Sequence, residues 1–208
     1  MSLDHWLAFV AASAILLAIP GPTVLLVISY ALGHGRKPAA AIVAGVALGD
    51  FTAMTASMLG LGAVLATSAL LFTALRWVGG AYLIYLGIKL WRAPVGAAGF
   101  QEAPKAGPLR MFAHAYAVTA LNPKGIIFFV AFVPQFLDAS RAFLPQVAIL
   151  VGTFVTMATI NSLGFALLAS AARERLKKPS VQRTVNRLGG SLLIGAGAFA
   201  FGWRRAAG

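Results

Sequence analysis

The sequence Ile19-Pro20-Gly21-Pro22 interrupts the first of several long apolar stretches, and Leu121-Asn122-Pro123-Lys124 interrupts the fourth. A proline inside a membrane-spanning helix removes one backbone donor and clashes with the preceding turn. Hydrocarbon tolerates such a break only where the freed carbonyls face protein, water or a ligand. Paired breaks at matching places in the two halves therefore predict a polar site near the middle of a membrane.

Composition places the chain in a lipid bilayer. Its 208 residues are 60% hydrophobic, whereas soluble domains are about 45 to 50% apolar. Every apolar stretch but the last reaches the roughly 20 residues that cross a bilayer, and the last must extend toward Thr184 and Trp203. We therefore predict an all-α membrane protein, one domain over residues 1–208, with six transmembrane helices near residues 6–30, 39–63, 70–90, 111–136, 143–172 and 188–201.

The distribution of charge predicts how these helices are oriented. The net charge is +12, and the basic residues cluster in the connections after the first, third and fifth helices. Under the positive-inside rule these connections are cytoplasmic, and both termini lie outside. Arg204 and Arg205 at the C-terminal end argue for the opposite orientation. Membrane orientation and attraction to anionic lipids account for the charge, so we do not predict nucleic-acid binding.

The two halves of the chain resemble each other. Residues 79–87 are similar to residues 189–197 at an offset of 110, and Pro20 and Pro123 are 103 residues apart. A three-helix unit repeated once has inverted topology, because an odd number of crossings brings the second copy in from the opposite side. We predict repeat one at about 1–92, a cytoplasmic linker at about 93–110 and repeat two at about 111–208. Similar glycine-rich faces that merely pack closely are the alternative.

Two charged residues lie deep within the apolar stretches, Asp50 and Lys124. Ionisable groups inside a membrane are costly and usually functional, so we predict that Asp50 couples proton movement to transport. The alternative is that Asp50 is a structural partner of Lys124 or caps a helix. Lys124 either binds a carboxylate or neutralises Asp50. At about 1.5 Å per residue from the helix starts, Asp50 and Asn122 lie at similar depth.

An interrupted helix offers two kinds of binding group. Its free N–H groups suit a carboxylate, and its free carbonyls suit an ammonium. An amino acid carries both groups. We predict that a carboxylate binds near Gly21, Asn122 or Lys124, and that an ammonium binds at Asp50 or at carbonyls beside Pro20.

These motifs resemble the LysE/RhtB family of bacterial amino-acid exporters. The resemblance rests on residues 19–22, 45–50, 75–87, 121–124 and 132–136, and it covers nearly the whole chain. It implies a multi-pass protein of the bacterial inner membrane that exports amino acids or their derivatives, in exchange for protons. The expected proton-coupling residue is Asp50, and the expected substrate-binding residues are Pro20, Gly21, Pro22, Thr23, Thr119, Asn122, Pro123 and Lys124.

The resemblance implies the class of substrate and not the particular amino acid. Family members often carry Gly and Asn where this chain has Ala115 and Thr119, and Asn where it has Thr23. A threonine keeps a hydroxyl but lacks the paired donor and acceptor of an amide.

Two other classes of function use the same broken helices. A passive channel or osmotic valve would conduct without coupling, and a membrane scaffold would use its small-residue faces only for packing. The sequence has no cysteine and no Ser/His arrangement or metal-ligand cluster at membrane depth, so we expect no enzyme, cofactor or metal. The expected partners are an amino acid, protons and membrane lipid. A homo-oligomer is possible through Gly60, Gly62, Gly79, Gly80 and Gly87.

Overall fold

The computed structural model describes residues 1–19, 21–34, 39–67, 69–95, 106–138, 140–171 and 178–202, and these ranges contain helices and no β-strand. Pro20, Trp203, Arg204, Arg205 and most of the basic connections lie outside the described residues. The helices are α1 (Leu3–Ala18), α2 (Pro22–His34), α3 (Ala39–Thr67), α4 (Ala69–Trp91), α5 (Pro108–Ala120), α6 (Pro123–Ile127), α7 (Phe143–Ala171) and α8 (Pro179–Gly202). A π-helix (Phe128–Phe132) and a 3-10 helix (Val133–Phe136) continue α6.

Three segments of the described chain are long and apolar enough to cross a membrane: Ala39–Gly60, Pro108–Phe136 and Phe143–Ala169. A fourth is obtained when α1 and α2, which are bent by 52° relative to each other, are counted as one broken span. The structure is therefore that of a helical membrane protein with three or four candidate spans.

Both predicted interruptions divide helices. Helix α1 ends at Ala18 and α2 begins at Pro22, while α5 ends at Ala120 and α6 begins at Pro123. A proline is tolerated at the first position of a helix because the N–H that it lacks would have no intrahelical acceptor. The division predicted near residues 66–68 is also confirmed, since α3 ends at Thr67 and α4 begins at Ala69.

The predicted start of the last helix is wrong. We placed it near residues 188–201 with an extension back toward Thr184, but α8 begins at Pro179. Its first turns contain Arg183 and Arg187, and the hydropathy criterion took these polar residues for a loop. The Arg187 guanidinium lies 5.0 Å from the centre of the Trp91 ring, a cation–π geometry that ties the polar start of α8 to the end of α4.

Helices α4 and α8 pack along a seam of glycines. A β-carbon built on Gly87 would lie 2.7 Å from the Gly190 carbonyl oxygen, and one built on Gly197 would lie 2.5 Å from the Gly80 carbonyl oxygen. The two contacts are equivalent at the offset of 110 residues: Gly87 corresponds to Gly197, and Gly80 to Gly190. The helices approach this closely because glycine has no side chain.

The seam corrects our interpretation of the glycines as an interface between protomers. Gly80 and Gly87 contact α8, and a β-carbon on Gly79 would lie 2.5 Å from the Ala131 β-carbon. Gly60 has no atom within 4 Å of such a β-carbon, and Gly62 lies outside the residues whose side chains are described. These contacts are internal, and an oligomer stays a prediction.

A second close approach positions the centre of α3. A β-carbon on Gly45 would lie 2.5 Å from the Phe112 carbonyl oxygen, and one on Gly49 would lie 2.7 Å from the Thr119 β-carbon. Helix α5 is thus pressed against α3 along these glycines. Asp50, which follows Gly49, is held at the level where α5 ends.

Replacing Gly87 with alanine tests the seam. We expect Gly87→Ala to destabilise the protein by about 1 to 3 kcal/mol, because the methyl group has no space. The measurement is the melting temperature of the purified protein in detergent. Gly195→Ala is the matched control on α8, since a β-carbon there meets nothing within 4 Å. Equal melting temperatures for the two variants would contradict the packing described.

Candidate functional site

The two helix breaks meet at the side chain of Lys124. Its ammonium Nζ donates hydrogen bonds to the carbonyl oxygens of Ile19, at 2.8 Å, and Leu16, at 3.0 Å. The lysine is buried, with 8% of its surface exposed. A cation from the second break therefore binds the backbone of the first.

The carbonyls are available because α1 ends there. The last four carbonyls of a helix lack their usual intrahelical donor. The Leu16 oxygen accepts a hydrogen bond from the Ile19 N–H at 3.3 Å, and its second lone pair is available to the lysine. Lys124 binds two carbonyls at this end, and Asn161 of α7 donates its Nδ2 to the Leu17 carbonyl at 3.2 Å. The sequence predicts that a substrate ammonium binds at Asp50 or at carbonyls beside Pro20. In the structure, the chain's own ammonium occupies those of Leu16 and Ile19.

The second break is held by Asn122. Its side-chain oxygen accepts a hydrogen bond from the Lys124 backbone N–H at 3.1 Å, which caps the start of α6. Its side-chain nitrogen donates to the Thr23 hydroxyl at 3.1 Å, and the Thr119 hydroxyl donates to the same oxygen at 3.3 Å. Asn122 thereby joins α2 to both sides of the second break.

Little space remains for a side chain at Gly21, where the breaks meet. A β-carbon on Gly21 would lie 3.2 Å from Cε and 3.3 Å from Nζ of Lys124. The structure thus brings together all the predicted substrate-binding residues that it describes. They are Gly21, Pro22, Thr23, Thr119, Asn122, Pro123 and Lys124; Pro20 lies outside the described residues.

Asp50 and Lys124 line one small cavity. This cavity measures about 30 Å³, and its lining includes Asp50, Asn122, Lys124, Asn161 and Ser162. It is large enough for one or two water molecules. The Asp50 carboxylate and the Lys124 ammonium attract each other, but they lie more than 4.0 Å apart. Among the described residues, the one ion pair with a nitrogen–oxygen distance within 4.0 Å joins Asp138 and Arg141.

A larger pocket also contacts Lys124. It measures about 240 Å³, and it contacts both breaks through Gly21, Pro22, Asn122, Pro123 and Lys124. We call it the four-leucine pocket, after the side chains that form its walls: Leu25, Leu86, Leu90 and Leu193. Exposed Lys89 stands on its rim. Lys124 therefore lines both a small cavity that contains an acid and a larger apolar pocket.

Several residues of the site were not predicted. Ser162 and Phe154 line the cavity of Asp50, and the four leucines and Lys89 line the pocket. The leucines carry no sequence signal, because an apolar residue is expected at any position in a membrane helix. Within the described residues, no group of three or more His, Cys, Asp or Glu side chains is arranged to bind a metal.

Comparison with known proteins agrees with this architecture. Over 200 residues, the chain is 34% identical to a membrane protein of Vibrio cholerae, covering 95% of this chain and 96% of the relative. It is 33% identical over 198 residues to the homoserine/homoserine lactone efflux protein of Salmonella typhi, with 95% and 96% covered. It is 29% identical over 199 residues to the leucine efflux protein of Salmonella choleraesuis, with 94% and 93% covered.

No solved structure matches the chain. The family comparison is decisive by its extent, because residues 14–201 match the LysE type translocators. That range includes both breaks, Asp50 and the glycine seam. The relatives named above are membrane or efflux proteins. The family is therefore one of transporters that export amino acids, and not one of enzymes. This chain belongs to the LysE type translocator family.

Proposed function

We propose that the protein exports amino acids from the cytoplasm in exchange for protons, by alternating access. The observation that carries the proposal is the Lys124 ammonium, held on two carbonyls of a broken helix beside the cavity of Asp50. Relatives named as homoserine and leucine efflux proteins support an amino acid as the substrate. A carboxylate and an ammonium on one small molecule match the groups at this site.

Substrate binding would exchange one ammonium for another. Lys124 has three N–H donors, of which two bind Leu16 and Ile19. A substrate carboxylate arriving in the four-leucine pocket would bind the third donor and draw the lysine toward it. The substrate's own ammonium would then take the vacated carbonyls. The number of buried charges bound to these carbonyls stays the same during the exchange.

Proton coupling would act through Asp50. Its carboxylate neutralises part of the lysine's charge while it is ionised. A proton taken up by Asp50 removes that attraction. The relative affinity of Lys124 for the carbonyls of α1 and for a substrate carboxylate would then change. Proton binding and substrate binding would thus compete through the same lysine, which couples inward proton flow to outward export.

We also propose that six spans form two inverted three-helix repeats within one domain. The glycine seam supports this proposal, because Gly87 against Gly190 and Gly197 against Gly80 are one contact made twice. Helices α3 and α7 support it as well, since each contains 29 residues and they start 104 residues apart. Rocking of one repeat against the other would expose the breaks to each side in turn.

Orientation in the bacterial inner membrane gives a direct test. With both termini outside, Ser140 faces the outside and Ser180 the cytoplasm; both are exposed. Because the chain has no cysteine, Ser140→Cys and Ser180→Cys each give one reactive thiol. We expect a membrane-impermeant maleimide to label the first variant on intact cells, and the second only after permeabilisation. The reverse pattern would contradict the orientation.

Removing the Asp50 carboxylate tests coupling. In proteoliposomes preloaded with an amino acid, we expect Asp50→Asn to abolish export driven by a proton gradient while exchange of amino acid for amino acid continues. Asp138→Asn is the control: hydrogen bonds from Ser140 hold the pKa of Asp138 below its ordinary value, so this variant also removes an ionised carboxylate.

Two results would contradict the coupling proposal. Normal uphill export by Asp50→Asn would remove Asp50 from the coupling role. Flux through the unaltered protein that ignores both the proton gradient and an uncoupler would favour the passive channel.

Gly21→Ala tests the position of the lysine. The added methyl group would displace the end of the Lys124 side chain, and we expect transport to fall about 10-fold, because small misplacements of a binding group are costly. Gly164→Ala on α7 is the control, since a β-carbon there meets nothing within 4 Å and Gly164 lines none of the cavities at the breaks. Transport rates measured at equal protein levels decide the matter; an unimpaired Gly21→Ala would contradict the assigned role of Lys124.

A further inference from the structure

The walls of the four-leucine pocket define which amino acids suit the site. We propose that this pocket holds the substrate's side chain, and that the preferred substrates have uncharged aliphatic side chains of about the size of leucine. This inference rests on the proposed export function. It goes beyond it by naming the substrate class and the residues that select it.

The position of the pocket follows from Lys124. The lysine lines both the pocket and the cavity of Asp50, and two of its three donors are engaged on the carbonyls of α1. A carboxylate that binds the remaining donor from the pocket leaves the rest of the amino acid among the leucines. The carboxylate thereby fixes where the side chain must lie.

The lining selects against polar and charged side chains. Beyond the breaks, the pocket is formed by Leu25, Leu86, Leu90, Leu193 and Ala93, with Lys89 on its rim. A hydroxyl placed among leucines loses its hydrogen bonds to water without replacement. A cationic side chain would meet Lys89 and Lys124, and none of the described lining residues is acidic.

The volume agrees with a single amino acid of medium size. At about 30 Å³ for each water molecule in the liquid, a pocket of about 240 Å³ holds roughly eight non-hydrogen atoms. Leucine has nine such atoms, and its carboxylate would lie at Lys124 rather than among the leucines.

A second apolar pocket adjoins the four-leucine pocket at Leu193 and reaches Ile19 at the first break. It measures about 320 Å³, and its lining includes Ile19, Leu83, Phe128 and Ala196. At the two offsets of the proposed repeat, these residues correspond to Asn122, Leu193, Leu25 and Leu86 of the four-leucine pocket. Its lining contains one hydroxyl, that of Ser191, and no charged residue among those described. An aliphatic side chain would meet apolar walls on both sides of the break.

Pairs of amino acids with the same shape isolate the effect of side-chain polarity on transport. Norvaline and homoserine differ by a methyl group in place of a hydroxyl, as do valine and threonine. We would measure kcat/KM for efflux of each from preloaded proteoliposomes under a proton gradient, using mass spectrometry. The expected preference is roughly 10- to 100-fold for norvaline over homoserine and for valine over threonine.

Changes to the lining should alter this preference. We expect Leu86→Ser to narrow the norvaline-to-homoserine ratio by roughly five-fold, the effect of one added hydrogen bond to the hydroxyl. Leu188→Ser is the matched control, because Leu188 is 63% exposed on α8 and lines neither pocket. Leu90→Ser is a second test at the same pocket if Leu86→Ser does not fold. The preference of the unaltered protein for norvaline over homoserine can be measured without either variant.

The outcomes separate the inference from the function on which it rests. Export of homoserine, threonine, lysine or glutamate in preference to norvaline and valine would overturn the inference while amino-acid export stands. A ratio unchanged by both pocket variants, as expected if a lipid chain fills the pocket, would also overturn it. If no amino acid left the liposomes faster than from liposomes without protein, the proposed function itself would be wrong.

Discussion

A buried ammonium bound to two backbone carbonyls is the interaction on which the rest of this structure depends. An unpaired buried carbonyl costs about 1 to 3 kcal/mol, and an unpaired buried ammonium costs more. Lys124 and the end of α1 remove both costs at once. A side chain from the second break therefore stabilises the first break, and this contact ties the two halves of the chain together.

The surrounding helices serve this contact. Asn161 of α7 binds a third carbonyl of the same helix end, and Asn122 holds the start of α6 against Thr23 of α2. The close packing of α3 on α5 holds Asp50 at the cavity that Lys124 also lines. On the proposed function, Lys124 would take part in both substrate binding and proton coupling.

The sequence predicted the helix breaks because proline has an unavoidable effect on a membrane helix. It also predicted that Asp50 and Asn122 lie at one depth, because helix rise is constant, and they line one cavity. It did not predict that Lys124 takes the carbonyls of Leu16 and Ile19, since that pairing depends on how two distant segments pack. The leucine walls were equally hidden, because the pocket combines residues from several helices that all look alike in an apolar sequence. The early start of α8 was missed because a helix can continue through polar residues beyond the hydrocarbon.

The contact between Gly21 and Lys124 has a consequence for how such a chain could arise. On the proposed repeat, these residues occupy equivalent positions 103 residues apart, and they touch. In a symmetric dimer of half-length chains, both positions would carry the same residue: two lysines would repel each other there, and two glycines would leave the carbonyls without a cation. Gene duplication and fusion allow one lysine to face one glycine. On the proposed repeat, a fused chain can therefore carry a single charge at this contact, which a symmetric dimer of half-length chains could not.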